Sequence, residues 1–133
     1  MNRRCFVTAA GLAWLAGATV SAHHSFAAEY DRGRTITVTG TVQRVEWTNP
    51  HARIYVEGKD ETGKFQVWDF ELGPPNGLMR NGWNRNSLKQ GHQVTVEGFR
   101  SKTSDTVANA RTVKLPDGRQ VFAGSSFDPG EAK

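Results

Sequence analysis

The four histidines of this 133-residue chain offer its most specific chemistry. His23 and His24 are adjacent, whereas His51 and His92 lie further along. If the chain is cut after Ala22, the new α-amine and the imidazoles of His23 and His24 can chelate one metal ion. Nitrogen-rich sites of this kind suit Cu(II). One hypothesis is therefore a copper site at His23 and His24, completed by His51 or His92. The alternative is that the two histidines simply remain at a chain end.

A second group combines aromatic and polar side chains that strand ends can bring to one mouth of a barrel: Trp47, Asn49, His51, Trp68 and Trp83. Small ligands often bind among aromatic rings and a few polar groups. Core packing is the competing explanation, and the sequence favours it for Trp68 and Trp83, because large aromatic side chains fill small barrels. For His51 the favoured alternative is a histidine that caps or stabilises its turn.

Paired carboxylates raise the question of catalysis. Asp69 and Glu71 are two positions apart in a predicted strand, so they lie on one face about 6–7 Å apart. Such a pair can hydrolyse glycosides, but a solvated strand face has the same pattern. The chain has no Gly-x-Ser-x-Gly motif and no phosphate-binding loop, and its one cysteine is Cys5. We therefore predict a protein that is not an enzyme.

Residues 1–22 are predicted to be a signal peptide that is removed. Arg3 and Arg4 precede an uncharged apolar stretch, and the small residues up to Ala22 suit a signal peptidase. About 15 apolar residues fall short of the ~20 that cross a bilayer, and no later cysteine can carry a lipid, so no membrane anchor is expected. The paired arginines also fit a twin-arginine signal. The mature chain is expected in the periplasm, without Cys5 and hence without a disulfide.

Removal of the leader also lowers the net charge. The whole chain has 17 basic and 13 acidic residues, and loss of Arg3 and Arg4 leaves a net charge of +2. OB barrels often bind single-stranded nucleic acid in a basic groove, and the candidate basic residues are Arg80, Arg85, Lys89, Arg100, Lys102 and Arg111. So small a charge on an exported protein argues against nucleic acid. The expected partner is an unidentified small ligand or an envelope protein.

The elements that must position these residues are strands. From Thr35 the apolar residues alternate through Val42, and then the phase slips so that Val45 continues the pattern. A slip near Gly40 in a long strand predicts a β-bulge or a sharp bend. Such a bend lets one strand serve both halves of a closed sheet. Thr48-Asn49-Pro50 ends the strand, because proline cannot donate to a ladder.

Further strands are predicted around Ile54, over residues 65–72, around Val96, and over residues 106–115 with a return through residues 120–122; a polar loop covers residues 58–63, and a short helix contains Leu78, Met79 and Trp83. This order predicts an all-β fold, a small five-stranded OB-like, partly closed barrel with one short helix between strands 3 and 4. A small antiparallel sandwich is the rival. The predicted domains are the leader at 1–22, a lead-in at 23–34, the barrel at 35–123 and a flexible tail at 124–133.

Three stretches together resemble a known family. They are His23-His24-Ser25-Phe26-Ala27-Ala28-Glu29-Tyr30-Asp31, Trp47-Thr48-Asn49-Pro50-His51-Ala52 and Phe70-Glu71-Leu72-Gly73-Pro74-Pro75-Asn76. Over nearly all of its mature length the chain resembles a family of small exported bacterial proteins of unknown function. The resemblance implies export and a small β-barrel, and it implies no activity, substrate or catalytic residue. Arg53 stands where the family is expected to have an aromatic or aliphatic residue.

Overall fold

One long strand organises the molecule. The computed structural model of the chain describes residues 26–124. Its elements, in chain order, are α1 (Phe26–Glu29), β1 (Tyr30–Glu46), β2 (Arg53–Asp60), β3 (Phe65–Glu71), α2 (Pro75–Arg80), β4 (Gln93–Ser101), β5 (Val107–Lys114) and β6 (Gln120–Phe122). β1 has 17 residues and pairs antiparallel with β4 on one side and β2 on the other. It therefore belongs to both halves of the sheet.

The bend predicted in β1 is confirmed. The pairing of β1 with β2 shifts between Val42 and Arg44, which leaves Gln43 without an opposite residue. An extra residue of this kind is a β-bulge, and it increases the local twist. Because of the bulge, the buried side chains of β1 change phase after Val42, and Val45 packs against the core.

The sheet closes through a short parallel contact. Its strand order is β3-β2-β1-β4-β5-β6, and β3 also pairs in parallel with β5 from Asp69↔Val107 to Glu71↔Asn109. Five strands thus form a ring, β6 adds a hairpin to β5, and α2 lies between β3 and β4 in the chain. This is the arrangement of a five-stranded, partly closed OB-like barrel, and the predicted fold class is confirmed.

The barrel interior is filled by alternate residues of every main strand. Trp68 and Phe70 of β3 are its largest fully buried side chains. The Trp68 indole N–H donates to the carbonyl of Gly58 at 3.2 Å, so the buried indole keeps a hydrogen-bond partner. Within residues 26–124 every buried side-chain nitrogen or oxygen has a partner. The buried hydrophobic side chains form one continuous core, which supports the residues on the outer face of the sheet.

Two strand boundaries differ by several residues from those predicted, and α2 ends at Arg80, so Trp83 lies outside the short helix that was predicted to contain it. β1 begins at Tyr30 rather than Thr35, because Tyr30 and Asp31 pair with β4 before a second register shift. β2 continues to Asp60, through residues predicted to be a loop, because Gly58 pairs with Gly40. Both extensions are polar or glycine-containing, so no apolar alternation marks them.

Part of the chain lies outside the described residues. This applies to the predicted leader, to His23 and His24, and to the tail from residue 125 onward. None of the helices within residues 26–124 is long and apolar enough to cross a membrane.

Candidate functional site

Glu71, the last residue of β3, accepts hydrogen bonds from two side chains and lies beside a third. The Tyr30 hydroxyl donates to Oε2 at 3.0 Å, and Arg53 Nη1 donates to the same oxygen at 3.3 Å. His51 Nδ1 lies 3.2 Å from Oε1. Asp69 joins through Arg53. We refer to Tyr30, His51, Arg53, Asp69 and Glu71 as the Glu71 network.

Strand register places the charged members of this network. β2 and β3 run antiparallel with Arg53 opposite Glu71, and Asp69 is two residues before Glu71 on the same face. Arg53 donates from Nε and Nη2 to the two oxygens of Asp69 at 2.8 and 2.9 Å, which is a bidentate pair. The hydrogen bond to Asp69 raises the pKa of Arg53 further above its usual range. The guanidinium is therefore permanently charged and fixes both carboxylates.

Tyr30 brings the start of the described chain to the same place. Its side chain is buried, and burial, followed by the charge of Glu71, raises the pKa of its phenol well above the usual range. The phenol therefore stays protonated and donates. The ring of Phe26 in α1 lies 5.3 Å from that of Tyr30 and 5.7 Å from that of Phe99, so α1 packs beside the network.

His51 is the member of the network that faces solvent. Its side chain is 41% exposed, whereas that of Glu71 is 15% exposed. An imidazole whose Nδ1–H donates to a carboxylate keeps the lone pair of Nε2 free to bind a metal ion or accept a hydrogen bond. Nδ1 of His51 lies beside the Glu71 carboxylate, so Nε2 is the ring nitrogen left for a ligand.

The five residues expected around one barrel mouth do not share one surface. Trp47, Asn49 and His51 lie in the β1–β2 loop, where Trp47 packs partly against the core and Asn49 is exposed. Trp68 and Trp83 are core residues, 1% and 5% exposed. The Trp83 indole N–H donates to the carbonyl of Phe122 at 2.7 Å. The loop residues therefore form the accessible part of this group.

His92 has a different role from His51. Its Nδ1 accepts the backbone N–H of Lys89 at 3.1 Å, in the turn before β4. Within residues 26–124 no group of three or more His, Cys, Asp or Glu side chains is arranged to hold a metal ion. His23 and His24, the predicted metal-binding partners of His51, lie outside the described residues.

A second charged cluster serves the β2–β3 turn. Asp60, with a side chain only 2% exposed, accepts hydrogen bonds from Thr62, Lys64 and Arg100. The bonds from Thr62 and Arg100 hold the pKa of Asp60 well below its usual range. Arg100 also bonds Glu61 and lies 5.5 Å from the Trp68 ring. This cluster ties the turn to β4, a structural task.

His51 was predicted from the sequence as a site residue, whereas Arg53 and Tyr30, which contact Glu71 beside it, were not. Arg53 had a usable signal, since a cation in β2 faces Asp69 and Glu71 once the two strands are set in antiparallel register. Tyr30 had none, because its partner Glu71 lies 41 residues away and is reached only through the closed sheet.

A comparison with protein families matches residues 12–110 to a family of unknown function (DUF6152). No curated protein and no solved structure matches the chain. The matched range includes the β1–β2 loop, all of β2, β3 and β4, and every residue of the Glu71 network. The chain therefore belongs to the family of unknown function DUF6152.

Proposed function

We propose that this protein is an exported, non-enzymatic binding module that works in the periplasm and takes its ligand at the β1–β2 loop, over the Glu71 network. OB barrels bind ligands on the face of strands 2 and 3 and at the loop between strands 1 and 2. The observation that carries the proposal is the half-exposed His51, whose Nδ1 lies 3.2 Å from Oε1 of the partly buried Glu71. Trp47 and Asn49 lie in the same loop.

Preorganisation supports a binding role. Ordering a side chain on binding costs about 0.5–1.5 kcal/mol for each rotamer-rich residue. Glu71 already orients His51, and Arg53 and Tyr30 already orient Glu71. Binding of a ligand to Nε2 of His51 therefore costs little further side-chain entropy, because folding has already ordered this side chain.

The two carboxylates suit binding better than hydrolysis. Glycoside hydrolysis requires one carboxylic acid that gives up a proton. Asp69 and Glu71 both accept hydrogen bonds from Arg53, and Glu71 also accepts from Tyr30. Neither is placed to donate a proton, which supports a protein without hydrolase activity.

The test maps binding on the folded protein. Isotope-labelled mature protein is exposed to size-fractionated small molecules from a bacterial periplasmic extract, and amide chemical shifts are recorded. We expect one fraction to shift the amides of residues 47–53, and His51→Ala to abolish the shifts. His92→Ala is the matched control and should respond as the wild type does.

Two results would contradict the proposal. One is a set of shifts confined to residues away from the β1–β2 loop. The other is turnover of a glycoside or ester panel that His51→Ala removes, because that result would make the loop a catalytic centre.

A second candidate function is Cu(II) binding by His23, His24 and His51. The observation that favours it is the chain of contacts from Phe26 through Tyr30 and Glu71 to His51. His24 is two residues before Phe26, and two residues span at most about 7 Å. A metal-bound histidine commonly donates its other ring N–H to a carboxylate, as His51 is placed to do with Glu71.

Copper titration of protein that starts at His23 tests this candidate. We expect His23→Ala with His24→Ala to abolish tight binding, and Glu71→Gln, which alters the orienting carboxylate, to weaken it by about 10–100-fold. His92→Ala should bind as the wild type does. Binding no tighter than that of an unstructured histidine-containing peptide, or an unchanged affinity in His51→Ala, would contradict the three-histidine site.

A further inference from the structure

A shallow depression of about 570 Å³ lies on the outer face of the sheet, away from the Glu71 network. It crosses β1 and β2 and reaches the first residue of β3. We call it the Phe65 groove, and its main side chains are Thr37, Thr39, Thr41, Glu57, Lys59 and Phe65.

Strand register aligns the groove residues in a row. Thr39 is opposite Lys59, and Lys59 is opposite Phe65, so the three side chains share the outer face on adjacent strands. Neighbouring strands lie about 4.8 Å apart, so this row is about 10 Å long. Gly40 and Gly58 are paired below it, and a Cβ on Gly40 would lie 2.1 Å from the Glu57 carbonyl oxygen. Both glycines line the groove, so backbone forms part of its floor.

Phe65 is the outstanding residue of the groove. It is 60% exposed, the largest exposure among the large hydrophobic residues within 26–124. Val67 is 44% exposed and two residues further along the same face. A solvent-facing aromatic ring at the wall of this depression offers a flat apolar platform for one face of a ligand.

The polar groups of the groove favour an uncharged ligand. Glu57 and Lys59 carry opposite charges, and Glu61 at the rim already accepts from the Thr37 backbone and from Arg100. Asp60 also lines the groove, and with Glu57, Lys59, Glu61 and Arg100 the charges sum to −1, which disfavours a phosphate. Arg100 bonds both Asp60 and Glu61, so these two carboxylates are already engaged and do not select a cation. Threonine hydroxyls both donate and accept, and the Thr39 hydroxyl is oriented by that of Thr95 at 3.0 Å. These groups match a ligand with many hydroxyls.

We propose that the Phe65 groove binds an uncharged linear oligosaccharide, with a pyranose ring stacked on Phe65 and its hydroxyls bonded to Thr39 and Lys59. A pyranose has an apolar face of C–H groups and a rim of hydroxyls, and the groove supplies a ring for the first and polar side chains for the second. The site goes beyond the proposed function, because it shares no side chain with the Glu71 network.

Cellotetraose, chitotetraose and maltotetraose are the probes, titrated separately into isotope-labelled protein while amide shifts are followed. We expect at least one of them to shift the amides of residues 37–41, 57–59 and 65. Phe65→Ala should weaken that binding about tenfold or more, as truncation of an aromatic contact residue does. Phe65→Tyr should preserve it, because the ring remains.

Met79 provides the matched control. It is 50% exposed and lies in α2, so Met79→Ala removes a similar apolar surface elsewhere and should leave the affinity unchanged. Thr39→Val, which removes a hydroxyl at nearly constant volume, should weaken binding while the protein stays folded.

Failure of all three sugars to shift the groove amides would overturn the proposal, as would unchanged binding in Phe65→Ala. Self-association that Phe65→Ala abolishes, without sugar binding, would assign the surface to a second copy of the chain. His51→Ala should leave sugar binding intact, so this result is independent of the β1–β2 loop.

Discussion

Glu71 contacts side chains from three separate parts of the chain, which makes it the residue on which the candidate site depends. Tyr30 comes from the start of β1, His51 from the β1–β2 loop and Arg53 from β2. Its side chain is only 15% exposed, and a carboxylate in such surroundings needs these partners. The same contacts that stabilise the fold here also orient His51.

Replacing Arg53 tests how strongly the network supports the fold. Arg53→Ala leaves Asp69 and Glu71 partly buried without their cation, so we expect the free energy of unfolding to fall by about 2 kcal/mol. The control is Arg44→Ala. Arg44 is 59% exposed and pairs with Glu46, and its loss should cost about 1 kcal/mol or less. Urea unfolding measures both, and equal losses would contradict a stabilising role for Arg53.

Asp60 predicts how stability depends on pH. Hydrogen bonds from Thr62 and Arg100 hold its pKa below the ordinary value of about 3.9. As the pH falls below about 5, the unfolded chain takes up this proton before the folded one, so stability is lost toward acid. Asp60→Asn should flatten the fall of the melting temperature between about pH 5 and pH 2. Asp105 is exposed, so Asp105→Asn should leave the dependence of the melting temperature on pH unchanged. Parallel curves of melting temperature against pH for Asp60→Asn and wild type would contradict the prediction.

At the scale of elements, glycines mark where strands approach most closely. The pairing of β4 with β5 shifts between Glu97 and Gly98, and a Cβ on Gly98 would lie 1.8 Å from the carbonyl oxygen of Asn109. The nearest atoms belong to the backbone, so no side chain can move aside to make room for the Cβ. Gly77 in α2 is different, since the nearest atom to its Cβ position is 3.5 Å away.

Alanine substitution should separate these two glycines. Gly98→Ala must push β4 and β5 apart, and we expect a loss of about 1–3 kcal/mol or more in the free energy of unfolding. Gly77→Ala should stabilise the protein by about 0.5–1 kcal/mol, because alanine lowers the conformational entropy of the unfolded chain at this position. Thermal melts of both variants provide the check, and a neutral Gly98→Ala would show that the two strands separate easily.

The alternation of apolar residues predicted most of these elements, but it did not mark the parts of strands that are polar. The slip between Val42 and Val45 located the β1 bulge correctly, because both residues must face the core. The start of β1 at Tyr30 was missed because polar residues surround it. The bulge in β5, where Arg111 is the extra residue opposite the Glu97–Gly98 step, was also missed, since the small side chains of Ala108 and Ala110 mark the buried face only weakly.

At the scale of the whole molecule, the order of strands and the place of α2 were sufficient to predict an OB-like barrel. The contact that closes it, between β3 and β5, spans only three residue pairs and joins distant segments, so no local pattern announces it. The Glu71 network depends on the same closed sheet. This explains why the sequence pointed to His51 but not to Tyr30, its partner through Glu71.

Export is the claim on which the cellular role and the copper hypothesis both depend. The full chain, expressed in a bacterium, is recovered by osmotic shock and its intact mass is measured. We expect a periplasmic protein that begins at His23, with residues 1–22 removed. A chain that retains Met1 and stays in the cytosolic fraction would contradict export.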